Sequence, residues 1–434
     1  MSEDYKKDSL SLIGAISMGT GVMIGTGIFA LLGQVAELSG RLFPIAFVVG
    51  AIISGFSAYS YIKLSNAFPS AGGIGMYLVK EHGKSTFAAF AALLMAFSML
   101  INESLVARTF GIYTLQLFQV ENKDFWIPTL GVGLILLAFT VNIYGNKLIE
   151  RSSIAMAVLK VAGLALLAVA GLWASNFTFQ EALPTSLPEK PAFNFIGALA
   201  LTILAYKGFT TITNSGDEIN KPHKNIGRAI IIAISICLVL YFGIAVSVNS
   251  SLSIDEIIKA RDYSLAEAAR PVFGQYGVII TVVIAIIATV SGIIANIFAV
   301  SRMTAMLTKM KLIPHSHLGM SDRIQKHMLV YVAAIAIVLT ILFDLSRIAS
   351  MGAIFYLIMD IGIHYGLYKK LRAKIDFNPT VVISAIVLDT IVLLGFLWTK
   401  IKQDTIIVLI SFGVMLIIYF GEKYFLSHKK QQDN

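Results

Sequence analysis

Apolar runs long enough to cross a lipid bilayer, about 20 residues as a helix, recur along the whole 434-residue chain. Hydrophobic residues make up 57% of the chain and charged residues only 14%, whereas a soluble domain carries about 25% charged residues. Lipid-exposed backbone must satisfy its own hydrogen bonds, and the alternating segments of a transmembrane barrel are absent, so each run is predicted to be a helix. Twelve runs are predicted, at about 10–37, 41–66, 85–117, 125–143, 151–174, 193–215, 226–249, 274–308, 327–343, 346–368, 378–399 and 404–426. The sequence therefore predicts an all-α polytopic membrane protein with twelve transmembrane helices.

The distribution of lysine and arginine predicts the orientation of these spans. With the N-terminus inside, 21 of the 34 Lys and Arg residues fall in cytoplasmic segments and 9 in outer ones, so both termini are predicted to be cytoplasmic. The run from Leu10 to about Leu38 is too long for a signal peptide and lacks a cleavage site, so it is the first span. The net charge of +9 is loop charge rather than a nucleic-acid surface, because no basic block is interleaved with aromatic residues. The single cysteine, Cys237, excludes an internal disulfide and is assigned to packing.

The position of glycine predicts that two spans are interrupted near their middle, span 1 at Gly21–Gly27 and span 6 around Tyr206–Phe209. Five spans separate the two interruptions, so the halves enter the membrane from opposite sides. This predicts a 5+5 inverted repeat, with repeat one at about 10–174 and repeat two at about 193–370, within one permease domain 1–434. The helices at about 378–426 are appended. Matched discontinuous helices indicate a binding site at the membrane midplane, and the alternative is glycine used for close helix packing.

The two interruptions together suit the head group of an α-amino acid. In span 1, free amides and the positive end of a half-helix beginning near Thr26 would bind a carboxylate. In span 6, carbonyls at the end of the first half-helix would accept hydrogen bonds from an ammonium. The predicted substrate-binding residues are Ile24, Gly25, Thr26, Gly27, Leu204, Ala205, Lys207 and Gly208. A cation at Lys207 would disfavour cationic substrates, unless its side chain faces water in an inward vestibule.

Lys160 lies in an apolar stretch with no polar residue nearby, roughly 15 Å from the entry of span 5. A charge at that depth costs at least about 2.5 kcal/mol and must face protein or water. Because burial disfavours a charged amine, Lys160 is a candidate for proton exchange. The alternative is a fixed cation that holds loosened carbonyls of span 1.

Five further ionisable residues lie within predicted spans, and each is either a functional candidate or part of a local structural pair. Asp360 and His364 are one helical turn apart and can pair. The five are Glu103, Arg108, Asp360, His364 and Asp389. His315 and His317 follow Pro314 in a polar loop, where solvation is favoured over metal binding.

Several of these stretches resemble the amino acid–polyamine–organocation (APC) superfamily of permeases, in particular proton-coupled transporters of the ApcT type from archaea and bacteria. The resemblance covers nearly the whole chain and is most specific at Ser17–Phe29, Tyr206–Asn214 and Glu218–Ile230. Weaker matches are Phe68–Gly73, Ala266–Pro271 and Ser301–Arg302.

The resemblance implies a LeuT-like fold in which Ile24–Gly27 and Leu204–Lys207 bind the substrate backbone. It also implies that Lys160 occupies the sodium site of distant relatives, near Gly21 and the stretch from Thr289 to Ser291. Lys207 departs from the family, whose members usually carry a small or apolar residue there.

The function expected from these features is secondary active transport of an amino acid, by proton symport with alternating access, in the inner membrane of a prokaryote. An exchanger without ion coupling is the alternative, and a membrane-embedded enzyme using Asp360 and His364 is a remote third. The expected partners are an amino acid, a proton and the bilayer. No cofactor, metal or obligate protein partner is expected.

Overall fold

The computed structural model describes residues 10–70, 72–144, 146–174, 192–310, 312–313 and 324–432, and nearly all of them are helical. The α-helices of these residues are α1 (Leu12–Ser39), α2 (Phe43–Ala67), α3 (Gly73–His82), α4 (Thr86–Thr114), α5 (Lys123–Tyr144), α6 (Asn146–Ala174), α7 (Ala192–Tyr206), α8 (Phe209–Thr213), α9 (Pro222–Ser251), α10 (Ile254–Lys259), α11 (Ser264–Lys309), α12 (Ile324–Leu342), α13 (Leu345–Lys370), α14 (Pro379–Gln403) and α15 (Thr405–Gln432). Short 3₁₀ turns lie at Gly40–Leu42, Leu115–Leu117 and Gly216–Glu218.

Ten segments of the described chain are long and apolar enough to cross a membrane. One of them, Leu12–Ala67, contains both α1 and α2, and a shorter apolar helix covers Lys326–Leu342. Large apolar side chains point outward, among them Trp173 at 72% and Ile417 at 74% exposure. Outward apolar surface of this kind requires a lipid solvent. The chain is therefore a polytopic α-helical membrane protein, as predicted.

Span 1 is not interrupted, so this part of the prediction is wrong. The helix α1 runs without a break from Leu12 to Ser39, through the whole Gly21–Gly27 stretch. The physical reason is that its glycines serve close packing. A Cβ atom at Gly25 would lie 2.8 Å from the carbonyl oxygen of Ala288 on α11. The Thr26 hydroxyl donates to the Val22 carbonyl one turn earlier, at 2.7 Å, and so stays within the helix.

Span 6 is interrupted where predicted. The helix α7 ends at Tyr206, α8 begins at Phe209, and Lys207 and Gly208 lie between them. A second change of direction occurs in α11 at Gly274, whose φ of 57° is a left-handed conformation that favours glycine. The part of α11 before Gly274 contains Pro271 and precedes the predicted start of span 8.

The centre of the molecule is formed by α1, which packs against α7, α9 and α11. On one side α4 packs against α11 and α13, and on the other α2 packs against α9. The helix α6 closes the gap between α9 and α11. This arrangement puts the α7–α8 interruption and the glycines of α1 in the same buried region.

Candidate functional site

The two-residue interruption between α7 and α8 rests directly on the backbone of α1. A Cβ atom at Gly208 would lie 2.6 Å from the Met23 nitrogen and 3.1 Å from the Gly19 oxygen. The turn is closed by the Lys207 amide, which donates to the Leu204 carbonyl at 3.3 Å. Glycine at 208 therefore permits a backbone contact that no side chain would allow.

The predicted substrate-binding residues on the two helices are brought together only in part. A Cβ atom at Gly27 would lie 3.0 Å from the Ala205 carbonyl oxygen, so these two residues face each other. Gly25 faces α11 instead, and Ile24 is fully buried. Because α1 is unbroken, the amides of Ile24–Gly27 are engaged in helix bonds, and the carboxylate pocket expected from them is not formed in this conformation.

The carbonyls at the end of α7 are held by tyrosine. The Tyr241 hydroxyl of α9 donates to the Ala205 carbonyl at 3.4 Å, and the Tyr206 hydroxyl donates to the Phe47 carbonyl of α2 at 3.2 Å. The two tyrosine rings lie with centroids 5.1 Å apart. The sequence places Tyr206 at the predicted interruption without indicating its hydroxyl contact, and no sequence pattern indicates Tyr241.

Lys207 points away from water. Its side chain is buried, with the residue 3% exposed, and its amino group donates to the carbonyl and hydroxyl oxygens of Ser98 on α4, each at 2.9 Å. The amino group also lies 5.7 Å from the ring centroid of Tyr356 on α13. Lys207 therefore does not face an aqueous vestibule in this structure. Its amino group instead joins the α7–α8 interruption to α4 and α13.

Lys160 lies at the junction of α6, α1 and α11. Its amino group donates to the Ser291 hydroxyl at 2.9 Å, and a Cβ atom at Gly21 would lie 3.1 Å from it. The residue is 1% exposed, and among the described residues it forms no ion pair with a carboxylate. The Thr289 hydroxyl, by contrast, donates to the Ala285 carbonyl of its own helix at 2.7 Å.

Cys237 lies between this lysine and the interruption. Its buried thiol is a hydrogen-bond neighbour of the Tyr241 hydroxyl and lies near the Lys160 amino group. Lys160 interacts electrostatically with Cys237, and the Tyr241 hydroxyl beside Cys237 donates to the Ala205 carbonyl, so these three buried residues are the polar line that leads to this carbonyl.

Two of the remaining intramembrane ionisable residues have separate surroundings. Arg108 donates through Nη1 to the carbonyls of Thr340 and Phe343, at 2.8 and 2.5 Å, at the C-terminal end of α12, where a cation is favourable. Glu103 is fully buried on α4, and neither carboxylate oxygen has a hydrogen-bond partner among the described residues.

The predicted pair of Asp360 and His364 exists, with His364 Nε2 3.6 Å from Asp360 Oδ2. Asp389 of α14 joins it, since its Oδ2 atom lies 3.3 Å from the same Nε2 atom. Tyr61 and Ser57 of α2 donate to the two oxygens of Asp360, each at 2.5 Å. His315 and His317 lie outside the described residues.

Three other family-like stretches, Phe68–Gly73, Glu218–Ile230 and Ser301–Arg302, meet at the end of the molecule that follows α8. Arg302 of α11 forms a buried ion pair with Glu218. Leu10 pairs with the same turn, its amide donating to the Glu218 carbonyl at 2.7 Å. Gly73 packs against Asn214, whose side-chain oxygen accepts from the Ile74 amide at 3.3 Å. These contacts tie the chain before α1, the turn before α3 and the exit of span 6 into one unit.

The chain is similar to known permeases along nearly its whole length. A family model described as "Amino acid permease" matches residues 10–423. The inner membrane transport protein YbaT of Escherichia coli (strain K12) is 29% identical over 410 residues, which cover 94% of each chain. The serine/threonine exchanger SteT of Bacillus subtilis (strain 168) is 22% identical, covering 96% of this chain and 97% of that protein. The branched-chain amino acid permease BcaP of the same bacterium is 24% identical over 55% of this chain and 54% of its own.

Proposed function

We propose that this chain, which belongs to the amino acid permease family, carries amino acids across the membrane together with protons by alternating access. The relatives support the general substrate class, since SteT is a serine/threonine exchanger and BcaP a branched-chain amino acid permease. The proposed location is the inner membrane of a prokaryote, as the name of YbaT suggests for that protein, with twelve crossings and both termini in the cytoplasm.

A LeuT-like 5+5 repeat is supported by helix pairs that recur after a shift of five spans. A shift of five spans relates α4 to α11, α5 to α12 and α13 to α6. The helix α4 packs against α5 and α13, and its counterpart α11 packs against their counterparts α12 and α6. In the same way, α1 packs against α6 and α9, and its counterpart α7 packs against their counterparts α13 and α2. An internal repeat with an interruption at the membrane midplane is the arrangement in which transporters bind their substrates.

The substrate is proposed to bind at the α7–α8 interruption, where Leu204 and Ala205 end a half-helix whose carbonyls favour an ammonium group. Gly27 of α1 faces this end across a distance that leaves no room for a side chain. All of these residues are buried, so the structure is closed to solvent at this point. Alternating access then requires the bundle of α1, α2, α7 and α9 to move against the other helices, and this requires differential affinity of substrate and proton for the two states.

The single observation that carries proton coupling is the position of Lys160. A buried amine that donates to Ser291, lies against Gly21 and has no carboxylate partner among the described residues is stable as a neutral group or when its charge is compensated during the cycle. Proton loss and gain at Lys160 would alter the contact between α6, α1 and α11. The line through Cys237 and Tyr241 connects this change to the Ala205 carbonyl at the proposed substrate site.

The test is uptake of radiolabelled amino acids into proteoliposomes with an imposed proton gradient. Lys160→Met keeps the length of the side chain and removes the titrating group, so we expect it to lose proton-driven accumulation while keeping substrate counterflow. Lys259→Met, at an exposed position on α10, is the matched control and should behave as wild type. Accumulation of substrate by Lys160→Met against its gradient, driven by protons, would contradict the coupling role.

An exchanger without ion coupling is the second candidate, and the similarity to the serine/threonine exchanger SteT over nearly the full length favours it. An exchanger would require internal substrate for uptake and would give no response to a proton gradient in the same proteoliposomes. That result in wild-type protein would select the exchanger.

A further inference from the structure

A second set of buried titratable groups, apart from Lys160, lies between α2, α13 and α14. Asp360, His364 and Asp389 each have a fully buried side chain. Within the described residues, neither ring nitrogen of His364 and neither oxygen of Asp389 has a hydrogen bond of acceptable geometry. The Nε2 atom of His364 nevertheless points between the two carboxylates, at 3.3 and 3.6 Å. We call these three residues the acid–histidine cluster.

The charge of this cluster is not balanced by any fixed cation. In the described part of the chain, neither Asp360 nor Asp389 forms an ion pair with lysine or arginine. With both carboxylates ionised and the imidazole neutral the net charge is −2, and two protons make the cluster neutral. Since an uncompensated charge inside a membrane protein is costly, the number of bound protons must follow the access of water to the cluster.

Other titratable groups face the cluster from each helix packed around it. From α2, Tyr61 donates to Asp360 together with the hydroxyl of Ser57. From α13, the Tyr356 hydroxyl lies beside Asp360. On α3, Glu81 interacts electrostatically with His364. The next residue, His82, has its Nε2 atom 3.8 Å from the Oε2 atom of Glu81. Burial raises the pKa of Glu81 well above its usual value, so α3 adds a carboxyl group kept in its neutral, protonated form rather than a fixed negative charge.

The cluster is also connected to the α7–α8 interruption. The ring of Tyr61, whose hydroxyl binds Asp360, lies edge-on to the ring of Phe209, with centroids 5.2 Å apart. Phe209 is the first residue of α8, directly after Lys207 and Gly208. A change in the hydrogen bond between Tyr61 and Asp360 therefore acts on the first residue beyond the interruption.

We propose that the acid–histidine cluster is a second proton-binding site, in which Asp360, His364 and Asp389 share protons. The number of protons bound there affects the position of Phe209 through Tyr61. The step is an acid–base exchange: a proton leaves a carboxylic acid or imidazolium of the cluster and is taken up by water on the side of α3. The inference goes beyond proton coupling at Lys160 and does not require it.

A bound proton suits the cluster better than a bound metal ion. Both oxygens of Asp360 already accept short hydrogen bonds from Ser57 and Tyr61, which leaves fewer lone pairs for a cation. A divalent ion would also have to lose its full hydration shell to enter a group of side chains with no exposed surface.

The direct test is pH-difference infrared spectroscopy of purified protein without substrate. We expect a carboxylic-acid carbonyl band that appears on acidification, shifts when the protein is labelled with ¹³C at the aspartate side-chain carboxyl, and is lost in Asp389→Asn. Asp255→Asn, at an exposed position on α10, should leave this band unchanged. The band should persist in Lys160→Met, which separates this site from the proposed coupling lysine. The isotope experiment uses wild-type protein, so the test does not depend on a variant that folds.

A functional arm measures amino-acid counterflow, which needs no proton gradient, as a function of pH. In Tyr61→Phe, which keeps the ring against Phe209 and removes the hydroxyl, we expect the half-maximal proton concentration to change at least about tenfold. Three results would overturn the proposal: no titrating aspartic-acid band, an unchanged band in Asp389→Asn, or a stoichiometric divalent metal lost in His364→Gln.

Discussion

Replacement of Gly208 by alanine tests whether the α7–α8 interruption is packed against the backbone of α1. The added Cβ atom would lie 2.6 Å from the Met23 nitrogen, and a backbone atom within a helix cannot move aside as the end of a side chain can. Overpacking of this kind costs about 1–3 kcal/mol, and loss of glycine flexibility in the unfolded chain offsets about 0.4–1 kcal/mol of it. The φ of Gly208 is −56°, so alanine adds no backbone strain. We expect Gly208→Ala to lower the free energy of unfolding by roughly 1–2 kcal/mol.

The matched control is Gly413→Ala in α15, where an added Cβ atom meets no other atom within 4 Å. Alanine there should stabilise the helix by about 0.5 kcal/mol. Both variants are compared with wild type by denaturant-induced unfolding in detergent, followed by tyrosine and tryptophan fluorescence. Initial uptake rates in proteoliposomes provide the second measurement and should fall for Gly208→Ala alone. Equal stability of Gly208→Ala and Gly413→Ala would refute the close contact between the interruption and α1.

Three further predictions follow from individual contacts. Arg302→Met leaves Glu218 buried without its ion-pair partner and should cost about 3 kcal/mol in unfolding free energy, most of which the double variant with Glu218→Gln should restore. Lys207→Met removes the buried cation held by Ser98 and should let lysine and arginine compete for uptake more strongly than in wild type, whereas competition by neutral amino acids stays the same. The hydrogen bond from Arg347 holds the pKa of Asp404 below its usual value, so this pair stabilises the protein above the unfolded pKa of about 3.9. That stabilisation, about 0.5 kcal/mol, is lost as the pH falls through the lower folded pKa, so wild type and Arg347→Gln should differ in thermal unfolding at pH 7 and converge in strong acid.

The sequence predicted the interruption of span 6 and misplaced one in span 1, and the difference has a physical cause. Both stretches are rich in small residues, and glycine signals either an unwound helix or a close approach of two helices. At Gly25 the close approach to Ala288 accounts for glycine completely. At Lys207 and Gly208 a lysine is inserted into the turn, and its side chain leaves the helix axis to reach Ser98 on α4. Which of the two meanings applies depends on the facing helix, and that information is absent from the local sequence.

The absence of information on facing helices also explains which contacts between polar residues could be predicted from the sequence. Asp360 and His364 were paired because a spacing of four residues places them on one face of a helix. Asp389 was recognised only as an isolated intramembrane acid, since its partners are on another helix and no periodicity connects them. The contact of Lys160 with Ser291 agrees with the placement implied by the family resemblance. Its depth in an apolar span indicated only that some polar partner was required.

The position of the α7–α8 interruption makes it the element on which both proposed proton sites can act. From one side, Tyr241 binds the Ala205 carbonyl before the interruption and is connected through Cys237 to Lys160. From the other side, Tyr61 contacts Phe209 after the interruption and binds Asp360. Because α1 is continuous beside it, a change in the two residues between Tyr206 and Phe209 alters the angle between α7 and α8 without unwinding a second helix. Proton binding at the two sites should therefore be energetically coupled, since each biases the same two-residue turn.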